Sequence, residues 1–383
     1  MEPDNQSLPT ATPAANRTEP VPAPAPTELF SAEEPDHGLR WIFIGPEGLR
    51  AGWSVMVFLL FFPPLVSVNM AAMFHFHLIG KTGELAPRSA FFSEVASLLA
   101  LIIAVALVGL IEGRRISAFN LTGLHRRQHF LAGLAAGFLA LSALVGGLSA
   151  GGWLRFGSVA LSGVAVFRFG LLWGCVFLMT GCFEEGAFRC YLQFTLTRGI
   201  NFWWAFGAIA TLCACLAVFV RGNASTGVYA AALLGFFPCL YLEQKSSARS
   251  GGFWYAAWVT STLFGAVHIS NAGESGVGIF AAAFIGFVFC VSVRVTGSAW
   301  WAIGSHAGWD WAETFFYGTA DSGLSPHGSY LTSHPAGNSF WSGGSVGPEG
   351  SALALGAILL LLAVLLVYGR LSIRAGTASA TRS

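Results

Sequence analysis

Residues 164–193 read VAVFRFGLLWGCVFLMTGCFEEGAFRCYLQ, an apolar run broken towards its end by Glu184, Glu185 and Arg189. A run this long and apolar predicts a helix that crosses a bilayer, because about 20 residues span the ~30 Å of hydrocarbon. Each ionised side chain at bilayer depth costs about 2.5–3.5 kcal/mol on insertion scales, so three together need a compensating role. Glu185 and Arg189 are four apart and share a face, where they can form an ion pair. Glu184 is turned about 100° from Glu185 and is poorly placed for that pair. The spacing predicts a division of labour in which Arg189 neutralises Glu185 while Glu184 faces a wet cavity as a candidate general base. The competing reading is a buried ion network between helices with no chemistry.

Composition sets the class. The 383-residue chain is 54% hydrophobic and 10% charged, with a mean hydropathy of +0.63, whereas soluble domains carry roughly 25% charged residues. We expect an all-α, polytopic membrane helical bundle with about ten transmembrane segments: 51–73, 91–112, 130–152, 166–196, 202–220, 226–243, 253–270, 277–294, 298–318 and 351–368. Either member of the pair at 202–243 could instead be re-entrant. Pro63 and Pro64 predict a kink in the first segment. The organisation expected is a disordered N-terminal tail at 1–38, rich in Pro, Ala, Thr and Glu; N-terminal transmembrane helices at 39–165; a core at 166–320; an extracytoplasmic loop at 321–350; and a C-terminal helix and tail at 351–383. The tail is acidic and has no basic leader before an apolar block, so no cleaved signal peptide is expected.

Arginines concentrate on one side, in loop 113–129 (Arg114, Arg115, Arg126, Arg127) and at Arg40, Arg50, Arg198, Lys245 and Arg294, whereas loop 319–350 has no Lys or Arg. The positive-inside rule then predicts a multi-pass protein of the plasma membrane with both termini cytoplasmic. Trp341 and Phe340 are the expected interfacial anchors. The net charge of +1 and the lack of a basic cluster with interleaved aromatics give no reason to expect nucleic acid. The seven cysteines all fall in apolar stretches without a CxxC pair, the pattern of small hydrophobes rather than a redox or zinc site.

Two further apolar stretches carry histidines. Phe264 and His268 share a face near one end of their segment, and His306 shares a face with Asp310, with Glu313 a turn beyond. Asp310 could orient the imidazole, as carboxylates do for catalytic histidines. The other histidines, His129 among them, are expected in loops or the tail, in contact with water.

Taken in order, Glu184-Glu185…Arg189, Phe264…His268 and His306…Asp310 resemble the Glu-Glu-x-x-x-Arg, Phe-x-x-x-His and His-x-x-x-Asn/Asp signature of the CAAX protease and bacteriocin-processing (CPBP, or Abi) family, over roughly residues 110–320. The resemblance implies an all-helical intramembrane endopeptidase acting on a peptide or protein substrate, lipidated or membrane-embedded, in contact with membrane lipid. It implies that Glu184 and His268 activate a water, that His306 and Asp310 stabilise the oxyanion, and that Glu185, Arg189 and Phe264 support the site. It also implies a metal-bound version, with Glu184, His268 and His306 as candidate ligands of a divalent ion such as zinc. Three positions depart from the pattern: Asp310 stands where Asn is common, Cys190 follows Arg189 where Gly is usual, and the stretch 202–252 is longer. An ionised Asp310 cannot donate to an oxyanion.

Other classes fit less of the chain. A rhomboid-type serine protease would use Ser275 of Gly273-Glu274-Ser275-Gly276 with His306, which leaves Glu184, Glu185, Arg189 and His268 without a task. A zincin would need H-E-x-x-H, and a presenilin-like protease two membrane aspartates. A non-catalytic membrane scaffold or bacteriocin-immunity protein of the same fold is the main alternative, and proton-coupled transport a third.

Overall fold

Each of the ten apolar stretches folds as a helix, because in hydrocarbon a helix satisfies its own backbone polar groups. The computed structural model describes residues 40–45, 47–79, 85–220 and 222–380. The expected N-terminal tail lies outside the described residues. The helices are α1 (Ala51–His75), α2 (Pro87–Glu112), α3 (Arg126–Ala150), α4 (Val164–Glu185), α5 (Phe202–Phe219), α6 (Ser225–Ser250), α7 (Phe253–Val267), α8 (Gly276–Thr296), α9 (Trp300–Asp310) and α10 (Ala352–Ala380). Pro63 and Pro64 lie inside α1, which continues through them. Among the described residues, eight helices are long and apolar enough to cross a membrane, α5 and α6 included. The other two, α7 and α9, are shorter; the 15 residues of α7 rise only about 22 Å. Both are packed inside the bundle, with Ala256, Ala257, Thr260, Trp301, Ala302 and Ser305 almost wholly buried, so neither needs to match the full bilayer thickness.

Two helices change register beside charged residues. α4 passes through a π-helical segment, Gly186–Leu192, before ending in Gln193–Thr197, and α9 continues as a π-helical segment, Trp311–Tyr317. The wider turns begin directly after Glu185 and Asp310. Such segments free backbone carbonyls from the helical ladder and recur at functional positions; here the carbonyl of Arg189 accepts a hydrogen bond from Asn120 Nδ2 at 2.8 Å.

The tightest crossing in the bundle is α3 against α9. Gly133 and Gly137 on α3 face the carbonyls of Trp301 and Ser305, while Gly304 and Gly308 on α9 face those of Phe130 and Leu134. A Cβ at any of the four would strike the partner's backbone. Small residues four apart on both helices are what close approach in lipid requires, since packing has to replace the hydrophobic effect there. On the other side of α9, Gly181 of α4 lies against the Ile303 carbonyl. His306 sits between Gly304 and Gly308, so this crossing sets its depth and direction.

The loops sort by charge to opposite ends of the bundle. At the arginine-rich end, Glu112 pairs with Arg198 at 2.9 Å and Arg114 at 3.2 Å and accepts from the Ser54 hydroxyl, and Tyr191 donates to the Ser54 carbonyl at 2.8 Å. This network ties α1, α2 and α4 together. At the other end β1 (Leu154–Val159) pairs antiparallel with β2 (Leu331–Pro335), and Trp153 stacks on Trp341 with ring centroids 5.2 Å apart. His129, expected in water, is instead buried in α3, with Nδ1 2.9 Å from the Tyr368 hydroxyl of α10. The neighbour that covers it is 239 residues away in sequence, so local pattern could not reveal it.

Replacing Gly137 or Gly304 with Val should lower stability by about 1–3 kcal/mol, the usual cost of overpacking a tight contact. Thermal unfolding of purified protein checks this. The same change at Gly356, whose added Cβ would meet nothing within 4 Å, should leave the midpoint unmoved.

Candidate active site

Glu185 is the anchor of the polar centre. Its carboxylate is fully buried and accepts from two elements at once: Arg189, with Nη1 to Oε1 and Nε to Oε2 both at 3.2 Å, and His306 of α9, with Nδ1 to Oε1 at 2.8 Å. Arg189, also fully buried, lies over aromatic faces, with its guanidinium carbon 4.3 Å from the Phe264 ring centroid and 5.4 Å from that of Phe289. A cation over a desolvated aromatic face gains about 2 kcal/mol or more, which offsets part of the cost of burying it. The His306 ring stacks on Phe289 at 5.8 Å and meets Phe264 edge-on at 6.4 Å.

With Nδ1 committed to Glu185, His306 turns Nε2 towards two more carboxylates: Asp310 Oδ2 at 3.4 Å and Glu184 Oε2 at 3.8 Å. Glu184 is the most open of the group, its side chain 26% exposed, and it lines a cavity of about 210 Å³ together with His306, Asp310, Phe264 and His268. His268 follows the end of α7, and its Nδ1 is 2.7 Å from the Phe264 carbonyl. A carbonyl only accepts, so Nδ1 carries the proton and Nε2 of the neutral ring is left as an acceptor. The seven residues singled out from the sequence are thus brought together from α4, α7 and α9. Five of them line the cavity, while Glu185 and Arg189 lie behind it.

Glu313 is not among the lining residues; it is buried and accepts from Trp309 Nε1 at 3.1 Å. Ser275, the rhomboid-type candidate, caps α8 by accepting from Gly278 N at 3.1 Å. The cavity also collects carboxylates that the sequence reading passed over: Glu94 of α2, Glu274, Asp321 and Glu349. Glu94 could have been noticed as an acid inside an apolar helix. The other three are ordinary loop residues in one dimension, and only folding gathers them. For the implied divalent metal, no three His, Cys, Asp or Glu side chains among the described residues converge as ligands. His306 meets Glu185 through Nδ1, which leaves Nε2 free, so the misfit lies in the number of converging ligands and not in that imidazole.

Fold and site together define an integral membrane protein with a carboxylate–histidine centre at a cavity sunk in a helical bundle. Residues 239–312 match the family described as type II CAAX prenyl endopeptidase Rce1-like. The match contains Phe264, His268, His306 and Asp310; Glu184, Glu185 and Arg189 lie outside it and are joined to it by the Glu185–His306 contact. No curated protein and no solved structure matches the chain.

Two outcomes test these environments. Glu185→Ala leaves the Arg189 charge buried and uncompensated and should cost about 3–5 kcal/mol, whereas Glu184→Gln should cost about 1 kcal/mol or less; thermal unfolding separates them. Burial, then the nearby Glu349, pushes Asp321 above the ordinary carboxylate range. The folded protein therefore holds that proton more tightly than the unfolded chain, and Asp321 lowers stability as pH rises above about 4. Asp321→Asn, which keeps an acceptor for the Thr314 hydroxyl, should melt about 2–4 °C higher than the parent at pH 8 and nearer to it at pH 5.

Proposed function

We propose that the protein is an intramembrane endopeptidase of the CAAX prenyl protease type, hydrolysing a peptide bond of a lipidated or membrane-embedded substrate. The observation that carries this reading is the meeting of Glu184, His268 and His306, from three stretches far apart in sequence, at one cavity within the helical bundle. The family match over 239–312 supports the class of reaction.

The chemistry follows from the atoms that are free. A water between Glu184 and His268 gives one proton to the Glu184 carboxylate and donates its other hydrogen to His268 Nε2. Its oxygen then attacks the carbonyl carbon. His306 carries a proton on Nε2 and donates it to the developing oxyanion, a role for which a rigidly held donor is most effective. Its ring is fixed by Glu185 through Nδ1 and by Phe289 through stacking. Asp310 orients the same imidazole from the far side. As the C–N bond breaks, the proton held by Glu184 passes to the leaving amine, which returns the carboxylate to its starting state. Arg189 balances Glu185 throughout, so that Glu184 remains the base. Every step runs through side chains of the chain and one water.

The arginine-rich loop end supports a plasma-membrane protein with both termini cytoplasmic, and the cavity then faces the extracytoplasmic loops. A non-catalytic scaffold would keep its cellular phenotype after the substitutions below.

Purified protein in lipid nanodiscs, offered a panel of lipidated and plain peptides, should release fragments detectable by mass spectrometry. Glu184→Ala and His268→Ala should each reduce kcat about 10²–10⁴-fold, the usual contribution of an acid–base group, while leaving unfolding midpoints close to the parent's. Turnover should survive a chelator. Unchanged turnover in both variants sinks the mechanism.

A further inference from the structure

The short segment between α2 and α3 touches both halves of the Glu185–His306 contact, and the hydrolysis described above gives it no task. Phe119 anchors it. That side chain is 1% exposed and packs on Tyr191 and Phe194, in the stretch that continues α4, with ring centroids 5.6 and 5.2 Å away. The next residue, Asn120, reaches in two directions. Its Nδ2 donates to the Arg189 carbonyl at 2.8 Å, inside the π-helical segment Gly186–Leu192. Its own carbonyl accepts at 2.9 Å from the amide of Ala299, the residue that caps α9. Leu121 adds a third bond, its carbonyl accepting from Trp300 Nε1 at 3.0 Å.

Asn120 sits at φ 52°, a left-handed conformation that is uncommon outside Gly and in which Asn is enriched. With the backbone held there, one residue offers its side-chain amide to α4 and its carbonyl to α9. The two helices meet again deeper in the bundle, where Glu185 accepts from His306 Nδ1 at 2.8 Å. Arg189 is the residue whose guanidinium pairs with Glu185. Ala299 lies seven residues before His306, about 10 Å along the helix. Moving either attachment therefore moves one partner of the Glu185–His306 bond against the other. One hydrogen bond is a small part of the stability of such a bundle, but a misplacement of about 1 Å at a catalytic group can cost about 100-fold in rate.

We infer that Asn120 is a positioning residue: its side-chain bond to the Arg189 carbonyl sets α4 against α9 and so holds His306 on Glu185. Asn120 is not among the residues that line the cavity, so it acts through the two helices. The inference rests on the peptidase reading for its kinetic consequence alone. Its geometric consequence, a fixed His306 ring, stands apart from any reaction.

Three variants of the full chain in lipid nanodiscs test this. Asn120→Gly removes the side-chain donor and keeps the left-handed backbone with its bond to Ala299, because Gly adopts positive φ freely. Asn120→Asp keeps the size and places an acceptor where the donor was. Asn69→Ala is the control, since Asn69 Nδ2 donates to the Ala96 carbonyl at 3.1 Å, an equivalent bond between α1 and α2. NMR of protein carrying nitrogen-labelled histidine follows the His306 Nδ1 proton, assigned by its absence in His306→Gln, and peptidase assays give kcat and KM separately. Both Asn120 variants should shift that ring signal and speed its exchange with solvent. They should lower kcat about 10–100-fold, the usual cost of losing a supporting partner, with KM within about twofold of the parent's. Asn69→Ala should lower the unfolding midpoint by a similar amount and leave ring signal and kcat unmoved. An unmoved ring signal in Asn120→Gly overturns the inference, as does a parental kcat in a protein that hydrolyses, or the same ring shift in Asn69→Ala. If both Asn120 variants fail to fold while Asn69→Ala folds, Asn120 serves folding instead and the inference falls. A parent that hydrolyses no peptide, with the ring signal moved in Asn120→Gly, keeps the positioning role and refutes the peptidase reading; hydrolysis in the parent with an unmoved ring in the variant does the reverse.

Discussion

The structure depends on one buried carboxylate. Glu185 holds Arg189 of its own helix and His306 of another, so a single side chain both neutralises the cation and aims the imidazole. Without Arg189, Glu185 would be an isolated charge in an apolar interior, a state that costs several kcal/mol. Without Glu185, His306 would lose the bond that fixes its Nδ1 proton. The pair stands behind the cavity rather than in it, which leaves Glu184, one residue earlier, free to face water. Adjacent glutamates thus occupy different surroundings, one buried and one partly exposed, because a helix turns successive residues by about 100°.

Packing of backbone against backbone makes this polar unit possible. The glycine contacts of α3 with α9, and of Gly181 with Ile303, bring α9 close enough for a 2.8 Å bond between helices. The π-helical turns begin directly after Glu185 and Asp310. The two shortest helices, α7 and α9, carry the histidines and are buried among longer ones. Short, enclosed helices can end at membrane depth, because neighbours and cavity water satisfy their last carbonyls. His268, directly after α7, uses such an end: its ring bonds to the Phe264 carbonyl four residues back.

Electrostatics divide the bundle lengthwise. One end is stitched by Glu112 with two arginines; at the other, where the cavity opens, carboxylates join His268 and His306, and no Lys or Arg is among the described lining residues. The strand pair and the Trp153–Trp341 stack order the long loop that supplies Asp321 and Glu349, so that loop is part of the site's wall.

The sequence by itself determined the class of fold. Ten apolar stretches are readable because lipid imposes length and composition on each helix locally. It also marked residues that meet at the centre, since a charge or an imidazole inside such a stretch is conspicuous, and the Glu185–Arg189 pair follows from helical spacing alone. The tertiary structure decided what depends on neighbours distant in sequence. His129 is buried because Tyr368 covers it, and Glu94, Glu274, Asp321 and Glu349 line one cavity only once α2, the start of α8 and the long loop meet. The pairing of His306 with Glu185, rather than with Asp310 alone, was hidden for the same reason. Periodicity reports which face of a helix a residue occupies, but only packing reports what that face meets.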